Sequence, residues 1–85
     1  MSDVRNDALD ALGKSPEAVV QHGAAIVQRL EDTDAGVRWA ALDALRKSPE
    51  AVVQHGAAIV QRLDDMDAFV RRAAVDALGK SPEAV

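Results

Sequence analysis

The string KSPEAVVQHGAAIVQRL fills residues 14–30 and returns unchanged at 47–63; its first six letters return once more at 80–85. The offset is 33 residues each time. A chain with such a period cannot collapse around one centred core. Each copy must build the same unit, and units bury their apolar faces by stacking on their neighbours. The chain divides into a half-unit at 1–13, full units at 14–46 and 47–79, and the start of another at 80–85.

Composition narrows what those units can be. The apolar residues are mostly Ala and Val, with one Trp, one Phe and no Tyr. Small side chains suit closely spaced helices and leave little room for a deep ligand cavity. There is no Cys, hence no disulfide framework and no thiolate metal site. No apolar run approaches the roughly 20 residues of a membrane span, and no secretory leader pattern opens the chain. A cytoplasmic protein without membrane partners is the expectation. The net charge of −4 argues against nucleic acid, whose phosphates need clustered Lys and Arg.

Within a unit, Ser15-Pro16-Glu17 starts a helix. Ser accepts from exposed backbone amides, Pro has its φ pre-set, and Glu favours the positive helix end. This helix A runs over about residues 16–30, with Val19, Ile26 and Leu30 on one stripe beside Ala18 and Ala25. Gly23 and Gly56 lie inside it at a cost, which points to close approach of a neighbouring helix. An acidic turn follows, with Asp34 as the next cap. Helix B covers about residues 35–45 and buries Val37, Ala41, Ala44 and Leu45. Gly36, Trp39 and Asp43 lie opposite. The second unit repeats this with Ser48-Pro49-Glu50, Asp67, Val70, Ala74, Ala77 and Leu78. The half-unit matches helix B, with Val4, Ala8, Ala11 and Leu12 in the buried places.

The patterns Asp34-x-x-Val37-Arg38-x-x-Ala41-x-x-Ala44-Leu45 and Asp67-x-x-Val70-Arg71-x-x-Ala74-x-x-Ala77-Leu78 resemble the second helix of a HEAT-like repeat. The resemblance spans essentially the whole chain and recurs in phase. It implies an all-α fold: a right-handed α-solenoid of antiparallel helix pairs in the order B-A-B-A-B plus a stub of A. The unit is shorter than the roughly 40–47 residues of common HEAT repeats. It suits the compact HEAT-like class also seen in bilin-lyase subunits and in artificial helical-repeat binders. The ankyrin and tetratricopeptide signatures are absent.

Units 14–46 and 47–79 differ at six positions: Glu31/Asp64, Thr33/Met66, Gly36/Phe69, Trp39/Arg72, Leu42/Val75 and Arg46/Gly79. None lies within the repeated string. Those at 36/69, 39/72 and 46/79 fall on the helix B face opposite its buried stripe. In HEAT-like solenoids that face lines the concave, ligand-facing surface. The expected partner-binding residues are therefore Gly36, Trp39, Asp43, Phe69, Arg72 and Asp76, with Asp3, Asn6 and Asp10 from the half-unit. Drift after a recent duplication, or an engineered array, gives the same pattern, because exposed positions vary most freely. The two aromatics, Trp39 and Phe69, favour a contact surface.

Other chemistry is weak. His22 and His55 are equivalent residues on helices about 8–10 Å apart, too far to share a metal. The acidic turns lack the Gly and the terminal Glu of a calcium loop. Ser15, Ser48 and Ser81 cap helices and have no partnered His. Arg5, Arg38 and Arg71 are placed to reach acidic turns of adjacent units. Trp39 and Asp43 resemble a pair in HEAT-like DNA glycosylases, but the chain is short, acidic and without a basic track. The reading is a non-enzymatic protein-interaction scaffold with no metal, cofactor or catalytic residue. Its alternatives are a module that self-associates through uncapped ends, most simply as a two-fold dimer, and an accessory subunit of a bilin lyase-like enzyme.

Overall fold

The computed structural model describes residues 2–79, with side-chain surroundings from Asp7 onward. Val4, Arg5, Asp3 and Asn6, as side chains, and the third helix start at 80–85 lie outside the described residues. The described residues form helices α1 (Ser2–Gly13), α2 (Pro16–Gln21), α3 (Gly23–Gln28), α4 (Ala35–Leu45), α5 (Pro49–Gln54), α6 (Gly56–Gln61) and α7 (Ala68–Gly79). Single 3₁₀ turns, Arg29–Glu31 and Arg62–Asp64, end α3 and α6. There is no strand among them. Helices α1, α4 and α7 are successive B helices; α2–α3 and α5–α6 are the A helices.

The starts are fixed by side chains. Ser15 Oγ accepts from the Ala18 amide at 3.3 Å, and Ser48 Oγ from the Ala51 amide at 3.2 Å. Pro16 and Pro49 hold the first helical positions, where no amide donor is needed. Asp34 Oδ1 accepts from the Val37 amide at 3.1 Å. Asp67 Oδ1 accepts from Phe69 at 2.8 Å and Val70 at 3.1 Å. Each cap is worth about 1 kcal/mol.

Helix A departs from the expected unbroken run. It bends at His22, with φ −110° and ψ 18°, and again at His55, with φ −116° and ψ 24°. The ladder survives the bend: the His22 amide donates to Ala18 O at 2.9 Å, and Ile26 donates to His22 O at 3.0 Å. The two bends match, as the two identical 17-residue strings do, and each falls at a His-Gly step. Gly resists the helical geometry more than other non-proline residues.

The two glycines then diverge. A Cβ on Gly23 would stand 2.7 Å from Nε2 of His55, whereas one on Gly56 would meet nothing within 4 Å. Close approach therefore holds at Gly23 only, and the approaching group is the imidazole of the next unit. Gly56→Ala should raise unfolding stability by about 0.5 kcal/mol, by reducing the freedom of the unfolded chain. Gly23→Ala should gain less or lose, because the His55 ring must leave. Urea unfolding of both variants checks this; equal shifts would refute it.

The core is continuous. Val19, Ile26, Leu30, Val37, Ala41, Leu42, Leu45, Val52, Ile59, Val70, Ala74 and Ala77 are among its buried members. Helix α4 packs against α1 on one side and α7 on the other, and each A helix lies against the B helix of its unit. The half-unit differs from expectation. Ala8 and Ala11 are exposed, Leu12 is half-buried, and Leu9 is buried instead. Leu9 faces α4, while no described element covers the side carrying Ala8 and Ala11.

The equivalents Leu9, Leu42 and Val75 expose the stacking logic: 3 %, 0 % and 60 % exposed. The first two face a following unit, and no described element covers Val75. Val20 and Val27 are likewise half-buried, while their counterparts Val53 and Val60 are exposed.

Candidate partner-binding face

Residues 33 apart sit side by side on neighbouring B helices, so the face opposite the buried stripe is a small grid. The α4 row holds Gly36, Trp39 and Asp43. The α7 row holds Phe69, Arg72 and Asp76. All six line one or both of two grooves that meet at Trp39. The first, about 450 Å³, is lined by Trp39, Asp43, Arg46, Arg72, Ala73, Val75 and Asp76. The second, about 380 Å³, is lined by Ala35, Gly36, Trp39, Asp67 and Phe69. From the half-unit, Asp10 is exposed on α1 and lines neither groove.

The first groove carries both charges. Arg46 Nε lies 2.7 Å from Asp43 Oδ1 and 3.8 Å from Asp76 Oδ2, and Lys47 Nζ lies 3.7 Å from Asp43 Oδ2. Arg46 is one of the six positions that differ between units; where it bridges two carboxylates, the second unit has Gly79. The second groove is apolar apart from one carboxylate. Its floor is open because Gly36 has no side chain where the next unit has Phe69. Sequence reading left out Arg46, Asp67 and Val75. Asp67 was visible only as a cap; Arg46 was placed on the open face as a differing position but was not counted among the contact residues.

Beside this face, along the turns, lies the bond that fixes its two rows. Arg38 Nε and Nη2 donate to Asp65 Oδ2 and Oδ1 at 2.9 and 3.0 Å, a bidentate pair joining the units. Arg38 Nη1 also donates to Asp32 O at 2.8 Å in its own turn. Asp65 Oδ1 accepts from the Asp67 amide at 2.9 Å, and Arg62 Nη1 lies 3.4 Å from Asp65 Oδ2. Arg62 Nη1 further donates to Leu30 O at 3.0 Å, back across the junction. Arg38 thus reaches the adjacent acidic turn as expected. Arg71 does not: its Nη1 donates to Asp65 O at 2.7 Å, within its own unit. No described turn lies beyond it to receive its charge.

Burial pushes the Asp65 carboxyl up, but the hydrogen bonds from Arg38 and the Asp67 amide, and the charges of Arg38 and Arg62, outweigh it. The result lies below the ordinary 3.8. The hydrogen bond to Asp65 in turn holds the Arg38 guanidinium above its usual value. Because the folded state binds the Asp65 proton less tightly than the unfolded state, the junction is at full strength above 3.8 and weakens as pH falls through the lower folded value. Urea midpoints should fall from pH of about 6 to about 3, and Asp65→Asn should flatten that acid limb. An unchanged limb in the variant would remove Asp65 as its cause.

A family model described as HEAT repeats matches residues 2–79, nearly the whole chain. The chain belongs to the HEAT-repeat family. No curated protein and no solved structure matches it. HEAT repeats generally serve as protein-interaction scaffolds, and the family is typically non-catalytic. The helix-pair architecture described above is that of an α-solenoid, now with the family behind it. Among the described residues, no helix is long and apolar enough to cross a membrane.

Proposed function

We propose that this HEAT-repeat chain is a non-catalytic scaffold that binds a protein partner through the open face of its B helices. Gly36, Trp39, Asp43, Phe69, Arg72 and Asp76 are its contact residues. One observation carries the reading. The chain's only Trp and only Phe stand on adjacent helices of that face, 45 % and 68 % exposed, each beside a groove. Exposed aromatics beside grooves are the groups that give most binding energy when a partner covers them. The invariant A helices supply the frame, and the differing B-helix positions supply the surface.

The test selects binders from random peptides displayed on phage. Trp39→Ala with Phe69→Ala should weaken the selected binders by at least about thirtyfold, the scale of a hot spot. Glu17→Ala, on the A side, should leave them unchanged. Both aromatics are exposed, so helicity by circular dichroism should be preserved. Binders indifferent to Trp39 and Phe69 would sink the reading.

The exposed Val53, Val60 and Val75 favour a second reading, self-association through the far side of the second unit. It predicts a concentration-dependent dimer in sedimentation velocity that Val53→Asp with Val60→Asp dissolves. A monomer at every concentration would refute it.

A further inference from the structure

We infer that the groove between Trp39 and Phe69 takes the cationic side chain, Lys or Arg, of the protein partner. This rests on the partner-binding reading above and names what enters the face. The groove has two aromatic walls and small residues, Ala35 and Gly36, and its single charged group is Asp67. Asp67 is only half-committed to its helix. Oδ1 accepts from the Phe69 and Val70 amides, while Oδ2 accepts no hydrogen bond from the described residues. The charge of Arg38 is felt at Asp67, but its Nε and Nη2 donate to Asp65 and its Nη1 to Asp32 O, and the other cations of the neighbourhood are directed elsewhere. Arg72 and Arg46 line the other groove, and Arg71 donates to Asp65 O.

Two kinds of side chain could fill this space, and the carboxylate discriminates between them. An aliphatic or aromatic anchor would strip water from Asp67 and return no donor, a desolvation cost. A Lys or Arg lays its methylene stem along the apolar walls and keeps its charged head at the rim. There the head meets the π faces of Trp39 and Phe69 and the open oxygen of Asp67. The net charge of −4 draws basic partners toward the chain. The second unit's own residues make this groove possible: Phe69 replaces the Gly of the first unit, while Gly36 leaves the space that Phe69 walls.

The phage selection reads this inference separately. Peptides that depend on Trp39 and Phe69 should be enriched in Lys or Arg. One enriched peptide, titrated against the fluorescence of Trp39, should give a saturable change. Asp67→Asn should weaken it about two- to fivefold, as loss of one partly exposed cation–carboxylate contact implies. Asn remains a good helix cap, so the fold is kept. Trp39-dependent peptides that are apolar or acidic, or that ignore Asp67→Asn, would overturn the cationic side chain and leave the scaffold reading standing. A selection with no Trp39-dependent peptide would overturn both.

Discussion

Asp65→Ala should cost about 3 kcal/mol of unfolding free energy, the scale on which one partner of a buried ion pair is lost. The side chains of Arg38 and Asp65 are only 11 % and 3 % exposed, so water cannot take over the hydrogen bonds that Ala abandons. Arg38 keeps Asp32 O but is left with no carboxylate on its Nε and Nη2. The Asp67 amide loses its acceptor as well, at the turn that starts α7. A chain of this size has about 4–13 kcal/mol in all, so a large share disappears at one junction. Asp65→Asn retains an acceptor oxygen and should cost less. Chemical unfolding followed by circular dichroism measures both. A loss under about 1 kcal/mol for the Ala variant would show that the pair holds nothing together.

Leu42→Ala should cost a similar amount, about 3 kcal/mol, while Val75→Ala at the same repeat position should change stability by less than about 0.5 kcal/mol. Leu42 is fully buried in the core, on the helix that packs between α1 and α7. Removing its branch opens a cavity that two helices must close by moving. Val75 is mostly in solvent, and its truncation leaves no cavity. The pair separates the energy of a unit from the energy of its contact with the next. Equal effects at both sites would mean that stacking is not where stability resides.

Much of this could be read from the letters. The limits of α4 followed from Asp34 and the chain of apolar positions to Leu45, because capping and 3.6-residue periodicity are local physics. The 33-residue offset showed which residues become neighbours on the B-helix face. Three things were hidden. The bend at His22 leaves periodicity almost untouched, so no pattern of side chains announces it. The exposure of Ala8 and Ala11 depends on what lies against α1, and periodicity names a stripe without saying what covers it. The third is how Asp65 is shared. Arg38 reaching an acidic turn was legible, but Arg62 joining it required knowing that the 3₁₀ turn Arg62–Asp64 brings that side chain back over the junction. The grooves followed the same rule. Their six expected residues, and Arg46 as a differing position, were visible as a face, while Asp67 belonged to it only once two helices were placed side by side.

The unequal closeness of the two helix layers gives the array a direction of compliance. The B helices pack along one another, α4 against α7, and the Arg38–Asp65 pair ties the turns beside them, whereas α2 and α5 touch only lightly. Such a stack behaves as a leaf spring hinged at its turns. A bending load opens the gap between A helices first, and the spacing of Trp39 and Phe69 across the B layer changes last.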